Sequence, residues 1–250
     1  MNVKYTISPK YEKKYKNFVL NIQDYFNNAE KTIHKARNEI KIISFNEKQF
    51  VVKSFKKPSF IKSIYYTKNH SKAKRSYEYS IKLNDFTPEA IAYIEFYENN
   101  KLSNSFYISE YFEYDYTIKE PLRQIGFENK TKVLNEFAIF SSKLHDNGIL
   151  HLDYSAGNIL IKEKEDKYIF KIVDVNRMIF KTLSLNEKLK NFDMLWANNE
   201  NMTIIATQYA KSNNLDIEMV VKKALWYSFR LKLFKNFKKL LKGKIKNIDW

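Results

Sequence analysis

The period of the hydrophobic pattern changes near the middle of the chain. Tyr11, Tyr15, Phe18 and Ile22 recur at helical spacing just after Pro9, a residue suited to a first helical turn. Segments 31–35, 39–45 and 49–55 are rich in β-branched and aromatic residues. Polar turns at Arg37-Asn38 and Asn46-Glu47-Lys48 separate them, which predicts an antiparallel meander. A helix is expected over 71–83, with Ala73, Tyr77 and Ile81 as its apolar stripe, Glu78 beside it and Pro88 beyond its end. Segments 90–97 and 105–112 read as strands. Then the period lengthens: Val133, Phe137, Phe140 and Leu144 form an i, i+4, i+7, i+11 stripe, and Gly148 stands where a C-terminal cap belongs. Segments 158–162 and 168–173 read as two short strands about the polar turn 163–167, and helices are expected from 186 onward. Strands first and helices afterwards predict an α+β chain in two parts, residues 1–112 and 113–250.

Composition narrows the chemistry. The 250 residues are 44% hydrophobic and 16% aromatic, a globular balance, with no cysteine. Disulfides, thiolate catalysis and cysteine-ligated zinc are therefore excluded. The first residues lack the apolar core of a signal peptide, and no apolar run reaches the roughly 18 residues of a membrane span. A cytoplasmic protein is expected. The formal charge of +16 favours anionic partners such as nucleic acid, phospholipid headgroups or phosphorylated glycans, although an AT-rich genome that encodes Lys and Asn freely would also produce it.

The informative stretch runs from His151 to Leu160. His151, Asp153 and Asn158 have the H-x-D-x-x-x-x-N spacing of a protein-kinase catalytic loop, and Asp174 follows an apolar strand sixteen residues after Asn158. Phosphoryl transfer from ATP is chiefly positioning and neutralisation of phosphate charge. Asp153 is the candidate that orients the attacking hydroxyl and accepts its proton. Asn158 and Asp174 offer the oxygen ligands that Mg2+ prefers. His151 is expected to brace the loop, Gly157 to permit a tight turn and Ser155 to contact substrate or phosphate. The bland alternative, loop residues capping a turn, leaves the order helix, loop, hairpin, strand-end Asp unexplained.

The first half supplies matching parts. Val51-Val52-Lys53 resembles the strand whose lysine grips the α- and β-phosphates, and Glu78 is placed to pair with Lys53. Glu110 and Phe112 lie where a hinge backbone would bond adenine.

At these residues the chain resembles the lipopolysaccharide core kinases that phosphorylate Kdo or heptose sugars, over roughly residues 30 to 240. Residues 35–41 resemble that family's basic turn between the first two strands, which stands in for a Gly-rich loop and makes Arg37 a phosphate contact. Residues 75–79, followed by Thr87-Pro88-Glu89-Ala90, resemble its Glu-bearing helix and the approach to the next strand. Asp174-Val175-Asn176-Arg177 resembles its D-x-x-R, where protein kinases carry Asp-Phe-Gly. One departure is Asn158, where some heptose kinases place His. The resemblance implies a two-lobed protein-kinase-like fold with an antiparallel-sheet N-lobe and a mainly helical, shortened C-lobe. It also implies ATP and Mg2+ as cofactors and a sugar or glycolipid acceptor. A protein Ser/Thr kinase, an aminoglycoside-type phosphotransferase, a pseudokinase and a basic nucleic-acid-binding protein are the competing readings. No recognised nucleic-acid motif is present, and none of that class is expected as partner.

The end of the chain is basic. Arg230 and Lys232, Lys235, Lys238, Lys239, Lys242, Lys244 and Lys246 occur with no acid among them, and Leu233, Phe234, Phe237, Leu240 and Leu241 share a helical face. Two fates are open for this 230–246 helix. It binds an anionic inner-membrane surface from the cytoplasmic side, or it packs its apolar face on the second lobe with the lysines in solvent.

Overall fold

The computed structural model describes residues 2–35, 38–55, 70–165 and 167–241. They divide into two units. One comprises Met1–Glu113 with Asp174–Asn176, and the other Tyr114–Val173 with Arg177–Trp250.

The first unit is built on a six-stranded sheet. Its strands are β1 (Asn2–Ile7), β2 (Thr32–Lys35), β3 (Asn38–Phe45), β4 (Lys48–Phe55), β5 (Ala90–Glu98) and β6 (Lys101–Glu110), in the order β1-β5-β6-β4-β3-β2. All neighbours are antiparallel. One face is covered by α1 (Glu12–Leu20) and α2 (Ile22–Asn28), the other by α3 (Lys72–Leu83). This explains why β5 is buried along nearly its whole length and reads as a continuous apolar run. The α1/α2 layer is aromatic. Tyr15, Phe18, Phe45 and Phe50 have ring centroids 4.8 to 6.2 Å apart.

Three expectations change here. The single helix expected over Tyr11 to Ile22 is two, because Asn21 leaves helical geometry (ψ 20°) and its amide donates to the Asn17 carbonyl, closing α1. Strand β1 has no period-2 signal because it is an edge strand with only Ile7 buried. On α3, Ile81 is exposed. The inward stripe is Ala73, Ser76, Tyr77, Ser80 and Leu83, so small hydroxyl residues do the packing that a reading by hydrophobicity gives to Ile81. Ser71 caps this helix by accepting from the Lys74 amide.

The second unit starts with β7 (Tyr116–Thr117) and α4 (Lys119–Arg123). Next come α5 (Lys130–Asp146), β8 (Ile149–His151), β9 (Ile159–Lys164), β10 (Lys167–Ile172) and β11 (Met178–Phe180). Helices α6 (Leu185–Asn191), α7 (Asn199–Ser212) and α8 (Ile217–Leu241) finish it. Strands β10, β9 and β7 form one small sheet, and β11 pairs with β8. The core gathers around Phe137, Tyr154, Phe192 and Tyr209, all fully buried, and the Tyr154 hydroxyl meets Ser141 at 2.8 Å. No described helix is long and apolar enough to cross a membrane.

Gly148 turns the chain from α5 into β8 at φ +70°, and a Cβ there would lie 2.6 Å from the Lys181 carbonyl oxygen. Both the backbone region and the space exclude a side chain. Gly148→Ala is expected to lower unfolding stability by about 1–3 kcal/mol in urea titrations.

Candidate active site

Strand alternation decides what Lys53 can reach. On β4, Phe50 and Val52 join the core under α1 and α2, so Phe55 faces α3 and Lys53 points the same way. The Lys53 side chain is only 9% exposed, and a buried ammonium needs an anion. Its Nζ lies 2.6 Å from Asp174 Oδ1 and 5.4 Å from the Phe55 ring centroid. Asp174 belongs to the first unit although it follows β10 in sequence. Its φ of +58° is unusual for a residue with a side chain, though aspartate tolerates it better than most. The Asn176 amide donates to the same carboxylate oxygen. Asn176 is a functional candidate that sequence reading passed over. Its only signal is its place two residues after Asp174, where an amide can return to the carboxylate.

The expected Lys53–Glu78 pair is not what forms. Glu78 stands half-exposed beside the buried stripe of α3 and takes His70 Nδ1 at 2.8 Å and Lys74 Nζ at 3.8 Å. The lysine instead satisfies the acid that the end of β10 delivers. At the hinge position the Glu110 amide donates to the Glu89 carbonyl, and its carboxylate accepts from the Tyr11 hydroxyl and from Lys48. Glu110 therefore has no free amide for adenine. Phe112 follows the strand, half-buried, and its backbone makes no hydrogen bond to another described residue. Arg37 lies outside the described residues.

In the second unit the loop after β8 is held from both sides. The Asp153 amide donates to His151 Nδ1 at 2.9 Å, and Asn158 Nδ2 donates to the Asp153 carbonyl at 2.9 Å. His151 Nε2 donates to the Val173 carbonyl at 3.0 Å. One nitrogen accepts and the other donates, so the geometry selects the neutral Nε2–H imidazole. The Asp153 carboxylate is half-buried, with no hydrogen bond or ion pair to another described residue. The Val173 amide donates to the Asn158 carbonyl, tying Asn158 to the residue that precedes Asp174. Ser155 starts the single 3-10 turn that contains Gly157, and its carbonyl accepts from the Asn158 amide. Gly157 has open space around its Cα, so a tight fit does not require it. The Arg177 carbonyl accepts from the Leu152 amide, and the Arg177 side chain is exposed.

Behind the loop lies a polar chain for which the sequence offers little signal. Asn191 Nδ2 donates to the His151 carbonyl at 2.8 Å, and Asn191 Oδ1 accepts from His145 Nε2 at 3.1 Å. His145 Nδ1 then accepts from the Tyr209 hydroxyl at 3.0 Å. The Asn191 oxygen requires a proton on Nε2, and in the neutral imidazole Nδ1 is then the acceptor for the Tyr209 hydroxyl. Burial is the main reason that its pKa is pushed down to about 4, with Lys188 adding to the effect and Asn191 and Asp146 opposing it. His145 is adjacent to Leu144 on the buried side of α5, the one hint available from sequence.

Magnesium is what the sequence resemblance implies. Its fit can be judged from the donor atoms. Because Asn158 Nδ2 points at the Asp153 carbonyl, the amide oxygen is left without a donor among the described residues. Asp174 supplies a carboxylate. No three His, Asp or Glu side chains gather into a metal cluster among the described residues. Mg2+ usually takes one or two carboxylate or amide ligands and completes its shell with phosphate and water, so each of these two oxygen donors suits it by its own chemistry.

The neutral state of His145 has a pH signature. Its folded pKa lies below the unfolded value of 6.5, so the unfolded chain binds the proton first and stability falls as pH drops from 6.5 towards 4. The buried Asp193 carboxyl is pushed up to about 6 and titrates in the opposite sense, but it is common to wild type and His145→Gln. The stability difference between these two proteins should shrink by about 2–3 kcal/mol between pH 7.5 and 4.5, as read by denaturant titration.

No family model matches the chain, and no curated protein sequence matches it. Among solved structures it is similar to one described as WaaP in complex with acyl carrier protein, at 11% identity. That match covers 91% of this chain and 97% of the other, with a TM-score of 0.59. It is also similar to the Rio2 kinase–ADP/Mg2+–phosphoaspartate complex from Chaetomium thermophilum, at 16% identity over 98% of this chain and 79% of that one, with a TM-score of 0.47. The likeness to the first is one of fold. The chain has an α+β protein-kinase-like fold, as the sequence resemblance implied.

Proposed function

We propose that the chain is an ATP-dependent phosphotransferase that moves the γ-phosphate to a sugar hydroxyl, with a Kdo- or heptose-containing glycolipid as acceptor. The observation that carries this reading is the contact of buried Lys53 with Asp174, a strand lysine and a strand-end acid 121 positions apart. A bare structural role would be met more simply by an apolar residue at position 53. A phosphate-binding lysine kept beside a metal-binding carboxylate gives the pair a purpose.

In this reading Lys53 holds the α- and β-phosphates, and Phe112 offers its free backbone to adenine. Asn158 and Asp174 hold magnesium, which when bound neutralises charge on the phosphate oxygens. Asp153 has both backbone groups pinned and its carboxylate left open, so it can orient the acceptor hydroxyl and take its proton. His151 and Asn191 position the loop without touching substrate. Arg177 carries an exposed guanidinium with no partner among the described residues, which suits an acidic sugar such as Kdo.

Purified chain with ATP, Mg2+ and deacylated core oligosaccharide should add one phosphate to the sugar, read by mass spectrometry. Labelling of a protein or an aminoglycoside, with no sugar labelled, would move the assignment to the competing acceptors. Asp153→Asn should lower kcat by about 10²–10⁴-fold with little change in ATP affinity. Equal turnover would remove Asp153 from the mechanism.

A further inference from the structure

Helix α8 is turned the opposite way from an ordinary amphipathic helix. Its inward residues are Val220, Ala224, Ser228, Lys232 and Asn236, a stripe that becomes small and polar towards its end. Lys232 is buried, and its Nζ donates to the Ala197 carbonyl at 2.8 Å. Loss of hydration lowers its pKa. The large apolar side chains face outward. Trp226 is 50% exposed, Phe229 53%, Phe237 59% and Leu241 72%, with Leu233, Phe234 and Leu240 exposed among them. From Trp226 to Leu241 this outward surface is about 22 Å long, at 1.5 Å per residue.

A stripe of that size calls for an occupant, and the charges say which kind. Residues 219–241 contain no acid. Arg230 lies over the Trp226 ring at 4.5 Å, and Lys238 over the Phe234 ring at 4.2 Å. Cations and rings are thus interleaved along the helix. A protein-docking patch more usually has an apolar centre and a polar rim. A second copy of the chain would bring two acid-free cationic helices together, each on a chain of formal charge +16. Aromatic rings beside lysine and arginine on a single convex helix match the boundary between anionic headgroups and acyl chains.

We propose that α8 lies flat in the interface of an anionic bilayer. Trp226, Phe229, Leu233 and Phe237 enter the acyl boundary, and Arg230 and Lys238 meet lipid phosphates. The inward stripe, with Val220 and Ala224 buried and Lys232 bound to the Ala197 carbonyl, holds the helix to its own unit, so docking needs no unfolding or rotation. This inference does not rest on the phosphotransferase reading, because lipid binding is measured without nucleotide or acceptor.

The test is co-sedimentation of the full chain with vesicles of phosphatidylcholine alone or with about 30% phosphatidylglycerol, which supplies the anionic surface. Strong partition into the anionic vesicles only is expected, weakening as salt rises. Phe229→Gln/Phe237→Gln should lower the partition coefficient by roughly tenfold or more while the salt dependence persists. Arg230→Gln/Lys238→Gln should lower it by roughly fivefold per charge and flatten the salt dependence. All four sites are exposed, and unchanged thermal unfolding would show that both variants fold. Equal partition into neutral vesicles, or undiminished binding of the Phe variant, would overturn the proposal. So would a wild-type chain that stays off vesicles while forming dimers or capturing an acidic protein through the same side chains.

Discussion

A buried lysine ammonium needs a counter-charge, and much of the first unit follows from where Lys53 finds one. Strand alternation on β4 turns its side chain away from the aromatic layer, towards α3. Phe55 offers a ring face there but no negative charge. The carboxylate comes from Asp174, and with it residues Asp174–Asn176 pack as part of the first unit. Removing one partner of such a pair typically costs about 3–5 kcal/mol, because the other charge is left buried alone. The left-handed backbone at Asp174 and the returning amide of Asn176 are the local means by which that acid is held.

Much of the architecture was legible in the sequence, and for identifiable reasons. Strands β3 to β6 and helices α3 and α5 carry strong periodic signals, because each buries one broad face or is buried on both. The losses occur where burial is slight or polar. Edge strand β1 hides nothing but Ile7, and the break at Asn21 depends on a side-chain amide rather than on glycine or proline. On α3, serines take the inward positions that hydrophobicity assigns to Ile81. On α8 the same substitution of polar for apolar is carried further, so the face that pattern reading would bury is the one in solvent.

The candidate residues divide along a similar line. His151, Asp153, Asn158 and Asp174 stand out as candidates because their spacing in the chain is itself the signal. The partner of Lys53 was misjudged because two acids, Glu78 and Asp174, were both plausible, and only the direction of the side chains separates them. At Glu110 the amide is taken up by the Glu89 carbonyl, a fact that no side-chain pattern encodes. His145, Asn191 and Tyr209 come from three helices and share no motif, so only folding reveals them as neighbours.

That last chain has a direction. Tyr209 gives a hydrogen to His145, His145 gives one to Asn191, and Asn191 gives one to the carbonyl of His151. Each member is donor to the next, so none can be exchanged for a residue of opposite polarity without leaving two buried groups facing each other with the same sign. Inheritance must therefore treat the Tyr, the His and the Asn as one character. A relative that has lost one of them would be expected to have replaced the others together, even where its loop motif still reads the same.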